Sequence, residues 1–187
     1  MIPSLESAWT TARPDCPRPE WWHAHDSDST EIEVTELVAA FVRATQPEFV
    51  VETGTAYGQT AHAIGQALAR NGHGELLTLE PDPDRAAAAT TRCAGLPVTV
   101  MQKTSMEWEP DRPIGFAWLD SLFELRIAEF MRFAPWIAPG TIVGFHDAGP
   151  HRQFRVFLEA MAGAGVVRLI MPRTPRGVCF AEMLTVR

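Results

Sequence analysis

Phe49-Val50-Val51-Glu52-Thr53-Gly54-Thr55-Ala56-Tyr57-Gly58-Gln59 is the stretch that decides how this chain is read. A short apolar run enters a turn punctuated by glycines, and helical spacing follows from Gln59 to Arg70. Such a pattern describes a buried strand, a tight turn and a helix. Gly54 lets the backbone turn sharply, and Gly58 lets a ligand approach the start of the helix. That helix start carries free N–H groups and partial positive charge, which suit a carboxylate as well as a phosphate.

Spacing within the turn narrows the ligand. A dinucleotide loop reads G-x-G-x-x-G, whereas this one reads E-x-G-x-A-x-G from Glu52. A carboxylate at Glu52 repels a pyrophosphate and favours an ammonium group. The expected ligand end is therefore an amino acid, its amine toward Glu52 or neighbouring carbonyls and its carboxylate toward the helix. The alternative is a plain strand–helix turn in which the glycines are incidental. Thr55 and Tyr57 in the turn, and His62 just beyond it, either touch the ligand or simply pack.

Outward from this loop, strands and helices alternate. Thr30 begins a preceding helix, with Glu33 placed to complete a T-x-x-E capping box, and its apolar face runs to about Thr45. Glu75 to Leu79 is the second strand. Asp82-Pro83 supplies a cap and a first-turn proline for a helix to about Cys93. Pro97 to Met101 and Ile114 to Leu119 are the third and fourth strands, the latter continuous and apolar as in a buried parallel sheet. A helix from Glu124 to Ile137, a fifth strand from Thr141 to Phe145 and a helix from His151 to Ala162 follow. Val166 to Met171 and Val178 to Leu184 close the chain as an antiparallel pair. The expectation is a Rossmann-like, doubly wound α/β fold with a mainly parallel seven-stranded sheet and helices on both faces. Residues 1–28, rich in Pro and Trp, form an irregular arm in which Trp9, Trp21 and Trp22 cover the core or a ligand, and 29–187 form the domain.

In such sheets ligands lie beyond the carboxyl ends of the strands, near the switch in strand order. Glu52, Glu80, Asp120, His146 and Asp147 end strands. Glu80 follows Gly58 by about the twenty residues at which a carboxylate accepts both hydroxyls of a ribose. His146 beside Asp147 is a candidate general acid or base, or a structural histidine capping the sheet. His23-x-His25-Asp26 looks metal-like, but in an irregular segment it reads as a solvated polar stretch.

Composition excludes several classes. The 187 residues suit one domain with a real core, and the net charge of −7 argues against non-specific nucleic-acid binding. Cys16, Cys93 and Cys179 form neither a metal pair nor a disulfide framework. No signal-peptide pattern opens the chain, and Pro135, Pro139 and Gly140 interrupt its longest apolar stretch. A cytoplasmic protein is expected.

With these residues in view, the chain resembles the class I S-adenosylmethionine-dependent methyltransferases over about residues 30–187. Glu52, Gly54 and Gly58 match the family's first motif and Glu80 its second. Trp118-Leu119-Asp120-Ser121 with Arg126, and Phe145-His146-Asp147, look like the small-molecule O-methyltransferases related to cephalosporin-hydroxylase-like and macrolide-sugar enzymes. The resemblance implies an S-adenosyl-L-methionine site at Glu52, Gly54, Thr55, Tyr57, Gly58, Glu80, Ser105, Met106 and Asp120, with Met106 against the adenine. It implies Asp120, His146 and Asp147 as the residues that treat the acceptor, in-line displacement by a hydroxyl oxygen being the expected chemistry. In the narrower group the same positions often hold a divalent metal. Here the usually acidic place is His146, so Mg²⁺ is disfavoured and Fe, Mn or Zn suits the set better. Arg126 either orients an acidic substrate or lies exposed on its helix. Two other classes stay open: a nicotinamide-dependent oxidoreductase, disfavoured by the loop spacing, and a methyltransferase-like binding protein without catalysis. An aromatic arm can close its own site or a neighbour's in a homo-oligomer, and the acceptor's identity is not legible.

Overall fold

A computed structural model describes residues 12–184. β1 (Phe49–Thr53), β2 (Glu75–Leu79), β3 (Val98–Met101), β4 (Ile114–Leu119), β5 (Ile137–His146), β6 (Val167–Ile170) and β7 (Val178–Met183) form one sheet in the order 3-2-1-4-5-7-6. The first five strands run parallel, while β7 pairs antiparallel with both β5 and β6. The expected closing pair is thus present, with β6 at the sheet edge and β7 inside it.

β1 is buried at every position, because helices cover both faces of the sheet. On one face Val34, Val38 and Val42 of α1 (Ile32–Thr45) join Ile64 and Leu68 of α2 (Gln59–Asn71) against Val50, Phe116 and Trp118. On the other face Phe130 and Phe133 of α4 (Arg126–Phe133) and Phe154 and Leu158 of α5 (Gln153–Gly163) meet Val51, Ala117 and Phe145. The helix α3 (Pro83–Arg92) starts as expected, the Asp82 side chain accepting from the Asp84 and Arg85 N–H groups at 3.0 and 2.9 Å.

Three expectations are corrected. Thr30 does not cap α1: the cap position is Glu31, the Thr30 hydroxyl is drawn to Asp120, and Glu33 turns away to His23. The helix expected over Glu124–Ile137 is shorter, because Pro135 ends regular α-helical bonding and Ala134–Trp136 tightens into a 3₁₀ turn. Finally, β5 runs straight through Pro139 and Gly140, which lie on its exposed early part.

The arm is only partly as expected. Trp22 packs against the α1–α2 core while Trp21 is 66% exposed; Trp9 lies outside the described residues. All three cysteines are buried and free. Among the described residues no helix is long and apolar enough to cross a membrane.

Candidate active site

The strand order reverses between β1 and β4, and there the carboxyl ends of β1, β2, β4 and β5 open onto a cavity of about 530 Å³. Gly54, Glu80, Ser105, Asp120 and Asp147 line it, joined by Thr53, Ala56, Phe123, Arg126 and Arg176. The arm reaches it too, through Ser27 and Asp28, and Asp28 is tied across to Arg85 at 3.1 Å.

Gly54 brings the β1 turn against the β4 turn. Its φ is +80°, and a Cβ there would stand 2.3 Å from the Asp120 carbonyl oxygen. Gly54→Ala is therefore expected to lower the midpoint of chemical denaturation, backbone strain alone costing about 1–3 kcal/mol. Gly58 does different work from that expected. It has φ +81° and does not line the cavity, and a Cβ there would stand 2.9 Å from Ala89, so the bare glycine lets the start of α2 lie against α3.

Glu80 is held in place by the backbone. One carboxylate oxygen accepts the Ala56 N–H at 2.8 Å and the other the Asp82 N–H at 3.1 Å. Each oxygen keeps a further lone pair, enough for a hydroxyl each. The cavity floor is fastened by Glu129, wholly buried on α4, which takes hydroxyls from Thr53 at 3.1 Å, Ser105 at 2.5 Å and Ser121 at 2.6 Å.

Glu52 is not in this cavity. Side chains alternate along a strand, so Thr53 faces the site while Glu52 points under the sheet, 1% exposed, its Oε2 accepting the Thr78 hydroxyl. Burial pushes its pKa up to about 8 against the pull of Thr78, with Asp120 and Glu80 adding to the rise. The Glu52 carboxyl is thus turned away from the cavity and is not among the groups that line it. Thr55 also bonds Thr78 and is buried, and Met106 does not line the cavity. Tyr57 sits on a separate surface groove under Arg85, and His62 lines neither.

Beyond the ends of β4 and β5 lies a charge cluster that the sequence only half disclosed. His146, fully buried, faces Asp120 through Nδ1 at 3.2 Å and Glu31 through Nε2 at 2.6 Å. Two carboxylate partners require both ring nitrogens to donate, so the ring is an imidazolium. Burial opposes that charge, but Asp120, Asp147 and Glu31 outweigh it and push the pKa up to about 10. For Asp120, burial works against ionisation, yet His146 and Arg126 hold its pKa down at about 2. Glu31 behaves likewise: burial opposes its charge, and His146 overcomes that and lowers the pKa. The general-base reading of His146 is thereby corrected: it neither reaches the cavity nor has a free lone pair. His23 pairs with Glu33 at 2.8 Å, His25 is exposed, and Asp26 holds a local turn with Ser29, so the motif gathers no ligand set.

Arg126 is 1% exposed, against the expectation of an exposed helical arginine. Its guanidinium donates to Asp120 at 3.0 Å, to the Ser121 carbonyl at 2.7 Å and to the His146 carbonyl. Arg176, from the β6–β7 loop, forms a two-pronged pair with Asp147, reaches the Ser29 carbonyl at 3.3 Å, and offers its backbone N–H to Glu31 at 3.0 Å. It ties arm, β5 and loop together.

Asp120, His146 and Asp147 do lie together, their candidate ligand atoms within 4.8 Å of one another. The donor set nevertheless does not fit a divalent cation. Each oxygen and nitrogen it would need already faces a guanidinium, a hydroxyl or a carboxylate of the cluster. Three positive and three negative side chains already balance.

Sheet order, glycine turn and ribose-competent carboxylate define the class as a Rossmann-like S-adenosylmethionine-dependent methyltransferase. A family model described as a methyltransferase domain matches residues 51–148, and the chain belongs to that family. Its fold is similar to that of the O-methyltransferase TomG from Streptomyces achromogenes, solved with SAM, at 19% identity over 84% of this chain and 82% of that one, TM-score 0.70. An O-methyltransferase from Bacillus cereus, solved with SAH, gives 19% identity over 84% and 83%, TM-score 0.70. A methyltransferase from Geobacter sulfurreducens gives 17% over 84% and 81%, TM-score 0.71. No curated protein matches the chain significantly.

Proposed function

We propose that the chain methylates an oxygen of a small molecule, with the donor's adenosyl half at Gly54, Glu80 and Ser105 and the acceptor at Asp120, Asp147, Arg126 and Arg176. The reading rests above all on Glu80, whose carboxylate is fixed by two backbone N–H groups on the cavity wall. S-adenosylmethionine supplies an electrophilic methyl group when bound. The protein's part is alignment, which can supply on the order of 7–11 kcal/mol of the barrier. Thr53 and Ser121, pinned by Glu129, keep the two sides of the cavity in register. The solved O-methyltransferases of similar fold support oxygen as the acceptor atom. The acidic balance and the buried free cysteines support a cytoplasmic setting and a partner that is not a nucleic acid.

Titration calorimetry with S-adenosylhomocysteine tests the donor site. Glu80→Ala is expected to weaken binding by about 10- to 100-fold, hydrogen bonds to a charged group being worth about 1.5–3 kcal/mol. Unchanged affinity in a folded variant refutes the ribose role.

A further inference from the structure

We propose that the guanidinium groups of Arg126 and Arg176, seated on Asp120 and Asp147, stand where a divalent cation would otherwise serve the acceptor, which presents an oxygen group that is already ionised. The inference rests on the methyltransferase reading and deepens it.

Geometry carries the first half. Asp120 Oδ1 lies 3.0 Å from Arg126 Nη2, and its Oδ2 accepts the Thr30 hydroxyl at 2.8 Å. Both oxygens of Asp147 are taken by Arg176, and Oδ2 also lies 3.9 Å from Arg126. Both nitrogens of His146 face carboxylates. A dication placed among these groups would meet two guanidinium groups already seated on the carboxylates, at a place where Arg126 is shielded from water. A planar guanidinium offers paired donors to an oxygen without a metal's demand for several oxygen ligands.

The second half follows from what the cavity wall lacks. Asp28, Glu80, Asp82, Asp120 and Asp147 all line it, and each is engaged by a cation or by backbone N–H groups. No histidine lines it among the described residues. A neutral alcohol would need a base, and every carboxylate on the wall among the described residues is already held by a cation or by backbone N–H groups. An acceptor that arrives as a phenolate or carboxylate needs no base. Its oxygen lone pair forms the new O–CH₃ bond as the C–S bond breaks, and that bonding pair stays on sulfur. The acceptor's negative charge and the sulfonium's positive charge cancel, and no proton is left to place. Leu122, Phe123 and Leu125 supply an apolar wall for the rest of such a molecule.

Manganese chloride is the probe for the test. The intact protein, titrated with millimolar Mn²⁺ and followed by paramagnetic resonance of free ion and by thermal unfolding, is expected to retain none and to unfold at an unchanged temperature. Arg176→Gln, at the more exposed of the two arginines, frees Asp147 and is expected to gain Mn²⁺ binding. Saturable Mn²⁺ binding by the wild-type chain overturns the proposal, as does a folded Arg176→Gln variant that binds no better. Where that variant does not fold, the wild-type titration decides alone. Binding of S-adenosylhomocysteine, measured separately, reports on the methyltransferase reading, so the two failures are distinguishable.

Discussion

Replacing His146 by alanine is expected to cost about 3–5 kcal/mol of folding stability, the range for removing one partner from a buried ion cluster. The loss falls on Glu31. That carboxylate is 0% exposed, and without the imidazolium it keeps only backbone N–H groups, its own and that of Arg176 at 3.0 Å. Asp120 suffers less, because Arg126 and Thr30 remain. A urea midpoint measured at neutral pH is the readout. Adding Glu31→Gln to the same chain removes the stranded charge and is expected to recover part of the loss, a coupling of about 0.5–3 kcal/mol. The pH dependence has a fixed sign. The His146 contribution is fully present below its unfolded value of 6.5 and fades as pH rises through about 10. Asp120's is present above 3.8 and fades as pH falls through about 2. The gap between wild type and His146→Ala is therefore widest in weak acid and narrows in alkali. A catalytic base predicts the opposite phenotype, a stable variant without turnover, and that outcome sinks the structural assignment.

Sequence legibility followed the range of the physics. The strand–turn–helix at Phe49–Gln59, the Asp82 cap and the place of Glu80 rest on local spacing, and all three stand in the structure. Period-two alternation was available for Glu52 as well: with Val51 in the α4–α5 core, Thr53 faces the same way and Glu52 must face the other. Arg126 also carried a signal. Arg126, Glu129, Phe130 and Phe133 fall at i, i+3, i+4 and i+7, one helix face, and all four are buried. Glu31 and Arg176 carried none. They meet across 145 positions of chain, through a loop that only the finished fold brings home. What sequence spacing could locate was the β1 turn and Glu80; the cluster around His146 is assembled by contacts between distant segments.

Glu52 gives the second large effect. Its folded pKa of about 8 lies above the unfolded 4.5. A raised carboxyl contributes nothing adverse below its unfolded value, and stability is then lost as pH rises toward the folded one. Each tenfold difference in proton affinity between the two states is worth about 1.4 kcal/mol, so the whole loss is about 3–5 kcal/mol, most of it incurred before pH 8. Glu52→Gln mimics the protonated side chain, keeps an oxygen for the Thr78 hydroxyl, and cannot ionise. The variant is thus expected to match wild type near pH 5 and to exceed its stability by about 2–4 kcal/mol near pH 8. Chemical denaturation at a series of pH values measures the divergence. A Glu52 that points into the cavity and pairs with a bound amine is ionised at neutral pH instead, and then Glu52→Gln would weaken S-adenosylhomocysteine binding without a pH-dependent gain in stability. Calorimetry and denaturation on the same variant therefore separate a carboxyl that supports the turn from beneath from one that touches the ligand. The buried position beside Thr78, on the far side of the strand from Thr53, selects the former.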